Sequence, residues 1–111
     1  MPAKEVKLDV LPRIHLITES TTLDRAALDV VVRTAAATVD AVQVRAKGAP
    51  DRAVASWTAA LVTALRPLGT RVIVNDRPDV ALVAGADGVH LGADDLPVEA
   101  VRALAPPGFL I

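Results

Sequence analysis

Short β-type runs alternate with helical stretches along this chain, and that alternation limits its fold more than any other feature. The runs are Arg13–Thr18 (RIHLIT), Ala41–Arg45 (AVQVR), Arg71–Asn75 (RVIVN), Gly88–Gly92 (GVHLG) and Phe109–Ile111 (FLI). They are short, rich in β-branched residues and bounded by Gly, Pro or Asp, as strands are. Between the first two, TTLD at Thr21–Asp24 resembles a capping box. It opens a helical stretch with Leu23, Ala27, Val30, Val31 and Thr34 on one stripe. A second helix is predicted from Pro50, a favoured first-turn residue. Val54, Trp57, Leu61, Leu65 and Leu68 form its apolar stripe, and Pro67 limits its far end. A third, short helix starts at Pro78 and ends at Gly85, a C-terminal glycine. The fourth begins near Pro97, carries Val98, Val101 and Leu104, and stops at Pro106-Pro107.

Strands alternating with helices predict parallel pairing through right-handed crossovers. Two closures satisfy that rule. Five strands suffice for an open, flavodoxin-like sheet. A complete (β/α)₈ barrel takes roughly 200 residues or more, and this chain has 111. Length alone therefore favours an open α/β sheet or part of a barrel, in one domain.

Composition excludes several functions. Apolar residues make up 52% of the chain, enough for a core, and the net charge of −1 offers no footprint for nucleic acid. Trp57 and Phe109 are its only aromatic residues, too few to stack bases. Without cysteine there is neither a disulfide framework nor a thiolate metal site. The start, MPAKEVKLDVLP, has no apolar core of a signal peptide. No uncharged apolar run reaches the ~18 residues of a membrane span. A cytoplasmic protein is expected.

Polar residues in strands that should be apolar need a reason. Gln43 and Arg45 are two apart and share a face of the second strand, and Lys47 follows with Gly48 to turn the backbone. Such a group suits a phosphate or diphosphate, and it also reads as ordinary loop charge. Asn75-Asp76 closes the third strand, and Asp94-Asp95 follows the fourth. Either pair can cap the helix that Pro78 or Pro97 begins. Either can also hold a metal at a strand's C-terminal end, where α/β folds place their sites. Mg²⁺ is commonly held by one or two carboxylates plus phosphate oxygens and water. His90 and His15 read first as core histidines, with His90 a possible site-lining residue, and Asp87 as part of a turn. No dinucleotide fingerprint, Walker loop or Ser-His-Asp pattern is present.

Taken together, IHLIT, AVQVRAKG and VIVNDRPDVALVAGADGVHLGADDLP resemble the thiamine-phosphate synthase family in order and spacing, from Arg13 to Ile111. The resemblance implies a (β/α)₈ TIM-barrel type, truncated to about the first four βα units plus the start of strand five. Residues 1–12 would be a lead-in and residues 13–111 the N-terminal half. It implies an enzyme that joins a pyrimidine methyl diphosphate to a thiazole phosphate, releasing diphosphate. Gln43, Val44, Arg45, Ala46, Lys47 and Asn75 would bind the pyrimidine substrate, and Asp76 and Asp95 would hold Mg²⁺. No catalytic residue is assigned.

Departures from the family pattern matter too. Ala93 stands where the family usually has Gln, and His15 and Glu19 stand where it usually has Tyr and Asp. The family's later serine-rich, lysine-bearing and glycine-rich phosphate-binding segments have no counterpart here. The thiazole-phosphate site is therefore expected to be missing, which leaves the activity of these residues alone in question. A fragment of this kind is expected to be marginally stable, to self-associate, or to need its C-terminal half. A thiazole tautomerase relative and a non-catalytic phosphate-binding module are the alternatives.

Overall fold

The structure is a computed structural model that describes residues 11–19 and 24–111. Its elements are β1 (His15–Ile17), α1 (Arg25–Thr38), β2 (Ala41–Val44), α2 (Asp51–Leu65), β3 (Arg71–Asn75), α3 (Pro78–Ala84), β4 (Gly88–His90) and α4 (Val98–Leu104). A 3₁₀ turn at Arg66–Leu68 carries α2 through Pro67 to Gly69, which sits in the left-handed region. Gly85 ends α3 in the same conformation, as its position in the sequence predicts.

All strands pair in parallel and in chain order, β1-β2-β3-β4. Leu110 adds a parallel bridge to Gly88, where a fifth strand would begin. That order decides between the two closures. A doubly wound sheet reverses its strand order so that helices cover both faces. Right-handed crossovers that always step the same way lay every helix on one face. Here α1 rests on α2 and α2 on α3, as in a barrel wall. The fold is α/β of the (β/α)₈ type.

The two-residue period of the strands sorts the side chains. Val42, Val44 and Val72 face the helices and pack with Ala35, Leu61 and Leu65. Val74 and Val89 do the same further on, with Val80, Ala81, Val101 and Phe109. The alternate residues face the other way. His15, Gln43, Ile73 and His90 line an inner hollow of about 170 Å³ with Leu110 and Ile111. Both histidines are exposed on that face, so neither is the core residue that its apolar neighbours suggest.

Several element boundaries differ from expectation. Asp24 is itself the cap of α1, accepting from the Ala27 backbone N–H at 2.8 Å, so it is not the third residue of a box begun at Thr21. Thr21 and Leu23 lie outside the described residues, as do residues 1–10 of the lead-in. The buried side of α1 runs through Leu28, Val31, Val32 and Ala35, while Val30 and Thr34 are exposed. Pro50 caps α2 and Asp51 opens it. Strands one, two and four are shorter than their apolar runs, because a ladder extends only as far as the neighbouring strand offers partners.

Acids at the N-terminal strand ends serve the fold. Asp40 accepts from the backbone N–H groups of Arg13 and Ile14. Asp87 accepts from Val72 N at 2.8 Å and from Arg66, which fits the turn role read for it. Gly88 is required by close approach: a Cβ there would lie 2.5 Å from the Leu110 carbonyl oxygen and 2.6 Å from its Cβ. Gly88→Ala must therefore push residues 109–111 off the sheet. The expected cost is ~1–3 kcal/mol, read as a lower thermal midpoint; an unchanged midpoint would contradict the Leu110 bridge.

Candidate active site

At the opposite, C-terminal ends of the strands, β2 and β3 open into a cleft of about 260 Å³. The β2–α2 loop supplies Lys47, Gly48 and Ala49; the end of β3 supplies Asn75, Asp76 and Arg77; Asp51 of α2 completes the polar wall. Gly48 turns the backbone at φ 82°, which lets the loop fold back over the strand end. The Thr18 hydroxyl fixes the base of this loop. It donates to the Arg45 carbonyl at 3.0 Å and accepts from the Arg45 N–H at 2.9 Å.

The carboxylates here behave differently from those at the other end. Asp76 has φ 67°, the only positive φ of a non-glycine among the described residues. Asp tolerates that region better than most residues, yet such positions cost about 1–3 kcal/mol and persist only where the surroundings impose them. The Asp76 N–H donates to the His90 carbonyl at 2.8 Å, tying the end of β3 to β4. Its carboxylate turns towards Gly92. A Cβ on Gly92 would lie 3.7 Å from Asp76 Oδ1 and 3.2 Å from Asp95 Oδ2. Asp95 Oδ2 also accepts from the Gly92 N–H at 2.7 Å. The two acids thus face one gap that glycine keeps open.

Neither pair of acids caps a helix. The cap position of α3 is Arg77 and that of α4 is Pro97, and neither makes a side-chain capping bond. Asp94 is exposed, whereas Asp95 is partly buried against Gly92. The capping interpretation of Asn75-Asp76 and Asp94-Asp95 is therefore overturned, and Asp76 is left with a carboxylate that has no hydrogen bond among the described residues. Among those residues no cluster of three or more His, Cys, Asp or Glu could hold a metal. What the chain offers is a carboxylate pair. That suits Mg²⁺, whose remaining positions go to substrate oxygens and water, better than a metal needing a closed protein cage.

The structure divides the other predicted site residues. Lys47 lines the cleft beside Asn75 and Asp76, and is exposed without an ion pair among the described residues. Val44 and Ala46 line the same cleft. Arg45 does not join them: its guanidinium pairs with Glu19 beyond the end of β1. Gln43, only 5% exposed, lines the inner hollow with His90, and its amide has no hydrogen bond to another described residue. The expected single cluster of Gln43, Arg45 and Lys47 is thus spread over three neighbouring environments, because β2 ends at Val44 and the loop leaves the sheet's alternation. Sequence reasoning missed the gap at Gly92 and a network in which Arg77 bonds Asp51 and Asp79. Arg77 and Asp79 are close in sequence and could have been paired; Asp51 gave no such signal. Arg77 holds the Asp79 carboxyl below the usual carboxylate range. The stability so gained is present above the unfolded-state pKa and is lost only as pH falls through the folded value, so the pair is intact at neutral pH.

Comparison with known proteins agrees with this layout. Residues 14–111 match the family model described as thiamine monophosphate synthase. The chain belongs to that family. It is 44% identical over 99 residues to the thiamine-phosphate synthase of Methanoculleus marisnigri, covering 88% of this chain and 47% of that one. It is 46% identical over 101 residues to that of Solidesulfovibrio magneticus, covering 90% and 48%. In three dimensions it matches thiamine phosphate pyrophosphorylase from Pyrococcus furiosus with a TM-score of 0.75 at 31% identity, covering 86% of this chain and 46% of that one. The chain spans about half the length of the curated relatives it matches. No helix among the described residues is long and apolar enough to cross a membrane.

Proposed function

We propose that this chain carries the pyrimidine-diphosphate half of a thiamine-phosphate synthase site. The observation that carries the proposal is the convergence of Asp76 and Asp95 on the gap at Gly92, with Lys47 in the adjoining cleft and in no ion pair among the described residues. In this reading Asp76 and Asp95 hold Mg²⁺, and Lys47 receives the diphosphate with Asn75 beside it. Gln43 offers an amide donor and acceptor to the aminopyrimidine from the inner hollow, and Val44 and Ala46 form the apolar wall. Arg45 can reach the diphosphate only by leaving Glu19.

The reaction breaks the bond between the pyrimidine methylene carbon and the diphosphate oxygen, which leaves with the electron pair. The thiazole nitrogen then supplies the pair for the new C–N bond. Bound Mg²⁺ would neutralise charge on the leaving diphosphate. Lys47 adds a fixed positive charge where that negative charge grows, and such donors are each worth on the order of 10²–10³-fold in rate. Incubation with both substrates and Mg²⁺ is expected to yield thiamine phosphate and diphosphate in equal amounts. Absence of both from a protein containing this chain would refute the synthase reading.

Ala93 favours a second reading. It places no polar group beside the acids, as a thiazole tautomerase relative would allow; production of an isomerised thiazole without diphosphate release would select it. Diphosphate binding without turnover would select a non-catalytic module. A cytoplasmic location belongs to the synthase reading, as does a domain spanning residues 13–111.

Self-association is also proposed, from the β1 side. Leu11, Ile14, Ile17 and Val30 are all exposed there. Beside them, Leu16, Ile17, Ala27 and Val31 line an apolar groove of about 390 Å³. A parallel edge that the described residues leave uncovered, with apolar flanks, invites pairing. Size-exclusion chromatography of the 111-residue chain is expected to show an apparent mass that rises with concentration. A monomer at every concentration would contradict it.

A further inference from the structure

We propose that Arg77 is a positioning residue: its guanidinium, held between Asp51 and Asp79, locks the β3–α3 turn so that Asp76 faces Asp95 across Gly92. This rests on the metal-diphosphate reading of the site.

The turn from β3 into α3 takes only Asp76 and Arg77, and Pro78 opens the helix. Pro78 keeps its predecessor out of the helical region, and Arg77 accordingly has φ −121° and ψ 86°. Asp76 must then reverse the chain from the left-handed region, which a non-glycine residue keeps only where its neighbours enforce it. Arg77 supplies that enforcement from the other side of the turn. Nη1 donates to Asp51 Oδ1 at 2.6 Å and Nη2 to Asp51 Oδ2 at 3.0 Å. Nη2 also donates to Asp79 Oδ2 at 2.7 Å, and Nε to Asp79 Oδ1 at 3.0 Å. Asp51 is the first residue of α2 and Asp79 the second of α3. One planar fork therefore ties two helix starts together across the cleft.

This arrangement distinguishes Arg77 from Lys47. Both line the cleft, but every nitrogen of the Arg77 fork is already committed to a carboxylate. Arg77 is thus not a diphosphate ligand despite its location. Among the described residues Asp51 makes no bond to Asp76 or Asp95, and Arg77 is the side chain that joins it to the β3–α3 turn. A bidentate grip on two carboxylates is specific to the guanidinium plane; a lysine ammonium keeps the charge and loses the geometry.

The test compares the unaltered chain with Arg77→Lys, Asp51→Asn and the double variant. Mn²⁺ binding in the presence of pyrophosphate is followed by electron paramagnetic resonance, with circular dichroism and thermal midpoints recorded alongside. Each single variant is expected to bind Mn²⁺ with pyrophosphate about 10-fold or more weakly, with its helical signal retained. The double variant should be no weaker than either single one, since both break the same connection. Asp51→Asn carries the test if Arg77→Lys loses structure, because Asp51 lies on an exposed helix start. Binding by either single variant equal to that of the unaltered chain overturns the proposal, as do losses that add in the double variant. If the unaltered chain binds no Mn²⁺ with pyrophosphate, the metal-diphosphate reading itself falls, and this inference with it.

Discussion

Asp76→Asn is expected to weaken Mg²⁺-dependent diphosphate binding by on the order of 10²-fold without disturbing the fold. The substitution isolates charge. Asn enters the left-handed region at least as readily as Asp, so φ 67° and the N–H bond to the His90 carbonyl both survive. The side chain keeps its shape beside Gly92, and only one anionic oxygen facing the gap is lost. Calorimetry with pyrophosphate and Mg²⁺ reads the effect, and circular dichroism verifies the fold. Unchanged binding would remove Asp76 from the metal site and leave its strained backbone without a functional reason.

Leu61→Ala should produce the largest loss of stability. Leu61 is fully buried in α2, among Val42, Val44, Val72 and Leu65, with Ala35 from α1. The sheet lies on one side and α1 on another, so the walls cannot close on the space vacated. Leu→Ala changes at such sites cost ~2–5 kcal/mol, a large share of the ~5–15 kcal/mol typical of a whole domain. Val83→Ala is the control: Val83 is 82% exposed on α3, and surface changes of that kind stay within ~0.5 kcal/mol. Urea unfolding midpoints that fall equally for the two variants would contradict the assigned core.

Local patterns made most of the architecture legible in the sequence. Pro78 and Gly85 bracket α3 because one is suited to a helix start and the other to the left-handed turn that ends it. The valines of β2 and β3 alternate with Gln43, Ile73 and Asn75, so the two faces of the sheet could be read directly. What local pattern could not decide was closure. Open sheet and barrel share the same alternation, and only the pairing order β1-β2-β3-β4 separates them. The extents of β1 and of Phe109–Ile111 were overread for a related reason, since a strand ends where its partner does.

The site was legible in outline. Asn75, Asp76, Lys47 and Asp95 all lie at the C-terminal strand ends, as their places in the sequence predict. Whether the acids capped helices depended on backbone angles at Asp76 and on the Gly92–Asp95 hydrogen bond, neither of which has a sequence signature. Arg45 was grouped with Lys47 because two-residue spacing puts it on the face of Gln43; its pairing with Glu19 joins residues 26 apart. The Arg77–Asp51 contact spans the same separation. Long-range pairs of this kind require the fold before they can be seen.

The most direct measurement is a calorimetric titration of pyrophosphate into the 111-residue chain, with and without Mg²⁺. Saturable binding of one diphosphate per chain that appears only with Mg²⁺, and disappears in Asp76→Asn, is the expected result. Equal heats with and without the metal, or full binding by Asp76→Asn, would contradict a metal-diphosphate site at Asp76 and Asp95.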